Sequence, residues 1–252
     1  MTILFNLSVF ISFFQIILEN TADCAKIIWV IIIITDSEIL YRIEVFGLAE
    51  IFFCDMKKFG HLYEECIDLL PPKRKAKAER LINKNDAILS ATAGLMMKSV
   101  LGIENDEALC FNEHGKPFLE HGPFFSISHS RQFSVLAVSK DEIGIDIEMH
   151  QSPNSRLMER CFTEEEQHFA DLSTENFIKI WEAKEAVLKL LGTGFSFAPR
   201  NFSVLPLDEE HTVNGKTFRF YCTDLGGTPL VAAFCGNDDF KITEFEPEDL
   251  IY

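Results

Sequence analysis

From residue 51 onward the apolar residues of this chain fall into two rhythms. Over 86–101, Ile88, Leu89, Ala91, Leu95, Met96 and Val100 recur at helical spacing, which predicts an amphipathic helix stopped by Gly102. Leu62, Cys66, Ile67 and Leu70 keep the same spacing over 61–70, and Pro71-Pro72 ends that segment. Two more helices are predicted further on. One covers 163–172 and opens on Thr163-Glu164-Glu165-Glu166, a capping-box pattern. The other covers 175–191 and stops at Gly192-Thr193-Gly194. Strand-like runs lie at 51–54, 133–139 and 143–149, the last two predicted to form a hairpin around Lys140-Asp141-Glu142. Short strands follow at 202–205, 217–221, 230–234 and 241–245. The order is α+β, with two similar halves meeting near residue 142.

Residues 1–46 follow neither rhythm. Met1 to Leu18 carries no charge, and a second apolar run at 27–34 comes after Asp23 and Lys26. Neither run supplies the ~20 apolar residues that span a bilayer. A basic n-region and a small-residue cleavage site are both missing, so the segment does not read as a secretory signal. Three readings compete: a membrane anchor through residues 1–34, a buried extra element, or translated sequence upstream of the true start. The third is preferred, because the organised part of the chain reads as complete without it. The expected organisation is an N-terminal extension over 1–46, a first half over 47–142 and a second half over 143–252.

Composition narrows the function classes. A chain of 252 residues, 47% hydrophobic and 25% charged, is long enough for one sizeable domain or two small ones. The net charge of -16 argues against nucleic acid as a partner. Seven cysteines without a CxxC pair or zinc-ligand spacing read as reduced thiols of a cytoplasmic protein. One basic run, 73–80, stands out in this acidic chain, and a charge run is usually a solvated helix face.

Candidate chemistry sits in two segments. On a strand over 143–149, Asp146 and Glu148 share a face, and adjacent carboxylates repel unless a cation or protons lie between them. Hard divalent cations prefer such oxygen ligands, although on this pair alone a solvated acidic strand face is the better explanation. On the helix, Glu185 borders the buried side next to Trp181 and Leu188, with Lys189 one turn on. An ordinary i,i+4 salt bridge would account for Glu185 and Lys189. A carboxylate at the edge of a core stripe nevertheless needs a partner, and a shared cation would supply one. Ser128-His129-Ser130 lacks the GxSxG elbow of serine hydrolases, and the remaining histidines have no metal-ligand spacing.

Taken together, these residues carry a resemblance. Gly115-Lys116-Pro117, the run 125–130 around Ser128-His129, Gly144-Ile145-Asp146-Ile147-Glu148, the run 160–166 around Phe162-Thr163, and 181–189 occur in the order found in 4′-phosphopantetheinyl transferases. From about residue 50 the chain resembles the larger, single-chain, Sfp-like type. The first ~45 residues have no counterpart in that pattern. The resemblance implies two α+β halves related by a pseudo-twofold, with coenzyme A in the cleft between them and a monomeric protein. It implies Mg²⁺ held by Asp146, Glu148 and Glu185, and phosphate contacts from Lys116, Ser128, His129, Arg74, Lys77 and Lys184. Lys189 would meet the pyrophosphate and act as acid for the departing 3′,5′-ADP. Leu89 departs from the pattern, since relatives often carry a basic residue around there.

The implied reaction transfers the 4′-phosphopantetheine arm to a serine of an apo acyl or peptidyl carrier protein. Carriers of fatty acid, polyketide and nonribosomal peptide synthesis all remain open. Glu185, or a water held by Glu148, would take the serine proton. The basic run would offset the global acidity locally, since screening limits the reach of charge to roughly 8 Å. Two other classes share these features: a membrane-anchored binding protein on a degenerate transferase scaffold, and a metal-dependent phosphohydrolase.

Overall fold

The computed structural model describes residues 27–34, 39–46, 49–149, 152–236 and 239–251. The chain divides into two compact units, Met1–Gly47 and Leu48–Tyr252. In the first, β1 (Ile27–Ile34) pairs antiparallel with β2 (Ile39–Phe46) from Ile27↔Phe46 to Ile34↔Ile39. Most of the anchor expected over 1–34 lies outside the described residues, and no described helix is long and apolar enough to cross a membrane.

The second unit holds two four-stranded sheets. Its first half runs β3 (Ala49–Asp55), α1 (Met56–Phe59), α2 (Tyr63–Asp68), α3 (Pro72–Glu79) and α4 (Lys84–Leu101). A small pair, β4 (Cys110–Phe111) and β5 (Pro117–Phe118), then leads to β6 (Phe124–His129) and β7 (Phe133–Ser139). The second half runs β8 (Ile143–Ile147), α5 (Ser155–Cys161), α6 (Glu164–Ala170) and α7 (Thr174–Leu191). It closes with β9 (His211–Val213), β10 (Lys216–Leu225), β11 (Thr228–Phe234), β12 (Phe240–Glu244) and α8 (Pro247–Leu250).

The fold is α+β, and the two halves share one connectivity. In the first sheet β3 pairs with β7 and β7 with β6; in the second β8 pairs with β11 and β11 with β10. Each half carries an 18-residue helix before its returning strands, α4 and α7. Side-chain caps start both helices, Asn83 for α4 and Ser173 for α7. Both end on a left-handed glycine, Gly102 at φ 68° and Gly192 at φ 69°, where an L side chain would be strained. The repeat is not clean at the C-terminus, because β12 crosses back to pair in parallel with β3.

The expected hairpin between 133–139 and 143–149 does not form. β7 is buried along its whole length and already has a neighbour on each side, β3 and β6. The next strand therefore leaves for the other sheet, and the turn at 140–142 joins two sheets rather than two partners. The strand expected at 202–205 is also missing. Side chains take its backbone groups instead: Val204 N donates to Glu166 Oε1 (2.7 Å), and Lys184 Nζ donates to the Phe202 carbonyl.

Two of the unit's buried apolar clusters lie beside the site. Ile51, Val135, Ala137, Ile143, Ile145, Ile147, Leu230 and Ala232 form one cluster drawn from both sheets. Phe177, Ile180, Ala183, Ala186, Val187 and Leu190 of α7 pack with Phe162, Phe202, Val204 and Phe218 in the other. Fully burying one such side chain contributes about 1.5–3 kcal/mol. Gly144 sets how closely β8 and α7 approach. A Cβ there would lie 2.0 Å from the Ala186 carbonyl oxygen and 2.3 Å from Leu190 N.

Candidate active site between the two halves

β6 and β8 are edge strands of their sheets, and they meet through side chains rather than a ladder. Ser126 and Ser128 share one face of β6 by strand alternation. Ser126 Oγ accepts from Ile145 N (3.1 Å), and Ser128 Oγ donates to Asp146 Oδ1 (2.7 Å). Lys189, one turn from Glu185 on α7, donates from Nζ to the same Asp146 Oδ1 (2.6 Å) and to Ser128 Oγ (2.8 Å). Three residues far apart in sequence thus form one knot at the junction of the halves.

Asp146 is 4% exposed, and its second oxygen, Oδ2, is buried without a hydrogen-bond partner. A bare buried carboxylate oxygen is costly to leave unmatched. The carboxyls around it feel one another. Burial first, then the Asp146 charge and that of Glu148, raise Glu185 to a pKa of about 7, with Lys189 opposing. Among the described residues no group of three His, Cys, Asp or Glu side chains converges as a metal-holding set. Glu185 lines a cavity of about 250 Å³ together with Lys116, Ser126 and Lys189. Glu148 lines a separate one of about 200 Å³ with Asp86, Leu89, His129 and Arg131. The acidic groups nonetheless suit a cation, because an unpartnered buried Asp146 oxygen and a Glu185 carboxyl whose proton affinity is raised by burial and its acidic neighbours mark an excess of negative charge.

Lys116 enters the first cavity from the loop between β4 and β5. Asn112 fixes that loop: its Oδ1 accepts from Lys116 N (2.8 Å), and its Nδ2 donates to the Gly192 carbonyl (2.7 Å). Lys116 Nζ reaches the Leu190 carbonyl (3.2 Å) at the end of α7 and the Ile143 carbonyl (3.4 Å) at the start of β8. Burial, and secondarily Lys216, lower its pKa to about 8. His129 is exposed at its rim yet hemmed in by protein. Desolvation and the Lys189 charge hold its imidazole below the ordinary range, Asp86 opposes them, and Lys77 on α3 adds to the lowering. Lys77 is exposed and near enough for that charge to be felt. Arg74 instead crosses α4 at Gly94, where an added Cβ would sit 2.5 Å from its Cδ, and donates from Nη1 to the Ser90 carbonyl (3.5 Å). Leu89 is 1% exposed and lies under the His129 cavity as part of the core.

One expected phosphate contact is corrected. Lys184 is fully buried, away from the Glu185 side of α7. Its Nζ pairs with Glu166 Oε2 (2.8 Å) and donates to the carbonyls of Pro199 (2.9 Å) and Phe202. All three ammonium donors are used, so none remains for the pyrophosphate. Glu166 is the N3 residue of the α6 capping box and also receives Thr163 N (2.7 Å).

The expected set leaves out one buried carboxyl group beside these residues. Glu182 is fully buried on α7, and its Oε1 accepts from Glu148 N (2.9 Å). Burial, with the nearby Asp146 and Glu148 charges, raises its pKa to about 9. Helical spacing held the signal for both outcomes. At ~100° per residue Glu182, Glu185 and Lys189 fall within about 60° of one another, while Lys184 lies at least about 100° from each.

Comparisons with known proteins cover the same stretch of chain. A family model, the 4′-phosphopantetheinyl transferase superfamily, matches residues 142–235, the stretch holding Asp146, Glu148, Glu182, Glu185 and Lys189. The chain is 32% identical over 144 residues to a 4′-phosphopantetheinyl transferase of Aneurinibacillus migulanus, covering 53% of this chain and 60% of that relative. It is 28% identical over 155 residues to the 4′-phosphopantetheinyl transferase Sfp of Bacillus subtilis, covering 56% of this chain and 68% of the relative. A 4′-phosphopantetheinyl transferase of Paxillus involutus is 22% identical over 231 residues, with 75% and 88% covered. The stretch on which the acidic site and its lysine stand, residues 142–235, is thus similar to the 4′-phosphopantetheinyl transferase superfamily, and the chain spans about 60% of the length of the Aneurinibacillus migulanus relative.

Proposed function

We propose that this chain transfers the 4′-phosphopantetheine arm of coenzyme A to a serine of an apo acyl or peptidyl carrier protein. The observation that carries the reading is the knot of Ser128, Asp146 and Lys189, with Asp146 Oδ2 unpartnered beside it. In the reaction a bond forms between the carrier serine Oγ and the β-phosphorus of coenzyme A. The pyrophosphate bond breaks, and 3′,5′-ADP leaves.

Within this reading Asp146, Glu148 and Glu185 would hold Mg²⁺. When bound, the ion would neutralise charge developing on the pyrophosphate. The protein's own groups do the rest. Glu185 lines the first cavity, where its carboxylate can take the serine proton. Lys189 is held by Ser128 and Asp146, so its ammonium is oriented before substrate arrives and can stabilise or protonate the leaving group. Lys116 lines the same cavity and, with His129 and Lys77, offers donors to the phosphates. Arg74 keeps a role in this reading only by leaving its perch across α4. The protein acts as a cytoplasmic monomer.

Incubating the chain with apo carrier protein, coenzyme A and Mg²⁺ tests the proposal by mass spectrometry of the carrier. The expected product is a carrier whose serine bears the pantetheine arm, with 3′,5′-ADP formed in equal amount. No mass gain on any of several carriers overturns it. Phosphate release from coenzyme A without a carrier would point to hydrolysis instead.

A further inference from the structure

We propose that Glu182 is a positioning residue that fixes Glu148 relative to Glu185. The proposal deepens the cation reading above and rests on it. The ladder that holds β8 to β11 ends at Ile147↔Leu230, so Glu148 stands one residue beyond the last rung. There its backbone N–H is taken by a side chain from another element, Glu182 Oε1 at 2.9 Å. Glu182 belongs to the same helix as Glu185, and on the same side of it. One hydrogen bond therefore ties the backbone of one acidic site residue to the helix that carries the other.

The placement is costly, which argues against an incidental contact. Glu182 is 0% exposed, on a helix whose other buried positions are apolar apart from Lys184, and its Oε2 has no hydrogen-bond partner. A buried polar atom without a partner destabilises the fold relative to an apolar side chain of the same size. Outer groups that orient cation ligands have this character, and their loss weakens affinity by about 10–100-fold. Glu182 touches neither substrate nor reacting atoms in this scheme; it acts through Glu148.

The test uses the full chain and Mn²⁺ as probe, followed by electron paramagnetic resonance of the free ion, with and without coenzyme A. Glu182→Gln keeps an oxygen acceptor at the same reach and is expected to bind within about twofold of wild type. Glu182→Met removes the acceptor, and Glu182→Asp withdraws it by one methylene; both are expected to weaken binding by about tenfold or more. Should Glu182→Met fail to fold, Glu182→Asp decides alone. A purely structural residue would lower the melting temperature in these variants and leave Mn²⁺ affinity unchanged, and that result overturns the inference. An equal loss in Glu182→Gln overturns it as well. If wild type binds no Mn²⁺ under either condition, the underlying cation reading fails and takes this inference with it.

Discussion

Replacing Lys184 by Met separates a structural lysine from a phosphate-binding one. The side chains of Lys184 and Glu166 are both 0% exposed and lie 2.8 Å apart. Removing the ammonium strands three groups at once: the Glu166 carboxylate and the carbonyls of Pro199 and Phe202. Glu166 keeps the amides of Thr163 and Val204 but loses its only positive partner among the described residues. Breaking a buried pair from one side costs about 3–5 kcal/mol. For a unit of this size each kcal/mol shifts the melting temperature by about 2–4 °C, so a fall of about 6–20 °C is expected. Thermal unfolding followed by circular dichroism measures it. Kinetics well below the new midpoint should give a KM for coenzyme A within about twofold of wild type. The double variant Lys184→Met with Glu166→Gln should recover part of the loss, because no bare charge then remains buried. An unchanged melting temperature together with a KM for coenzyme A raised tenfold or more would refute the reasoning and return Lys184 to the phosphates.

Three further outcomes are expected. Asp146→Ala should lower carrier modification by about 10³-fold or more, the several kcal/mol a lost cation site represents, while circular dichroism stays native; wild-type-like transfer would remove Asp146 from the site. Gly144→Ala should destabilise the unit by more than the 1–3 kcal/mol of ordinary overpacking, because the added carbon meets α7 backbone that cannot rotate away; a chemical denaturation midpoint near wild type would contradict this. Lys116 should impose a pH limit on coenzyme A binding. Its folded pKa of about 8 lies below the ordinary lysine value, so its charge costs stability in full below about pH 8, and the cost fades as pH rises toward the unfolded value. The same deprotonation weakens a phosphate contact, so KM for coenzyme A should climb above pH 8 in wild type and stay flat in Lys116→Arg. Parallel curves would exclude Lys116 from the phosphates.

Much of the second unit was legible in the sequence because its signals are local. The helices expected over 86–101 and 175–191, observed at 84–101 and 174–191, declare themselves by apolar spacing and a terminal glycine, both read within one element. The hairpin error at 140–142 arose where that locality fails. A short polar turn between two strands looks the same whether they pair or part, and β7 had no free edge only because β3 and β6 had already taken both. The Lys184 error was different in kind. Its position on the helix already turns it away from Glu185 and Lys189, whereas its phosphate role came from the family resemblance, which carries no angle for this chain.

The sequence by itself determined the α+β order, the ends of the long helices, the placing of Asp146 on a strand, and that of Glu185 and Lys189 on one helix; the strand expected over 143–149 stops at Ile147, just short of Glu148. Those properties depend on residues within one turn or one strand of each other. Only the tertiary structure decided that Ser128 and Lys189 close on the same oxygen of Asp146, that Lys184 is spent on Glu166, and that Glu182 holds the chain at Glu148. Each of these is a meeting of groups 18 to 61 positions apart, and those at Asp146 and Glu148 depend on how closely α7 packs on β8 across Gly144. No local periodicity encodes that distance.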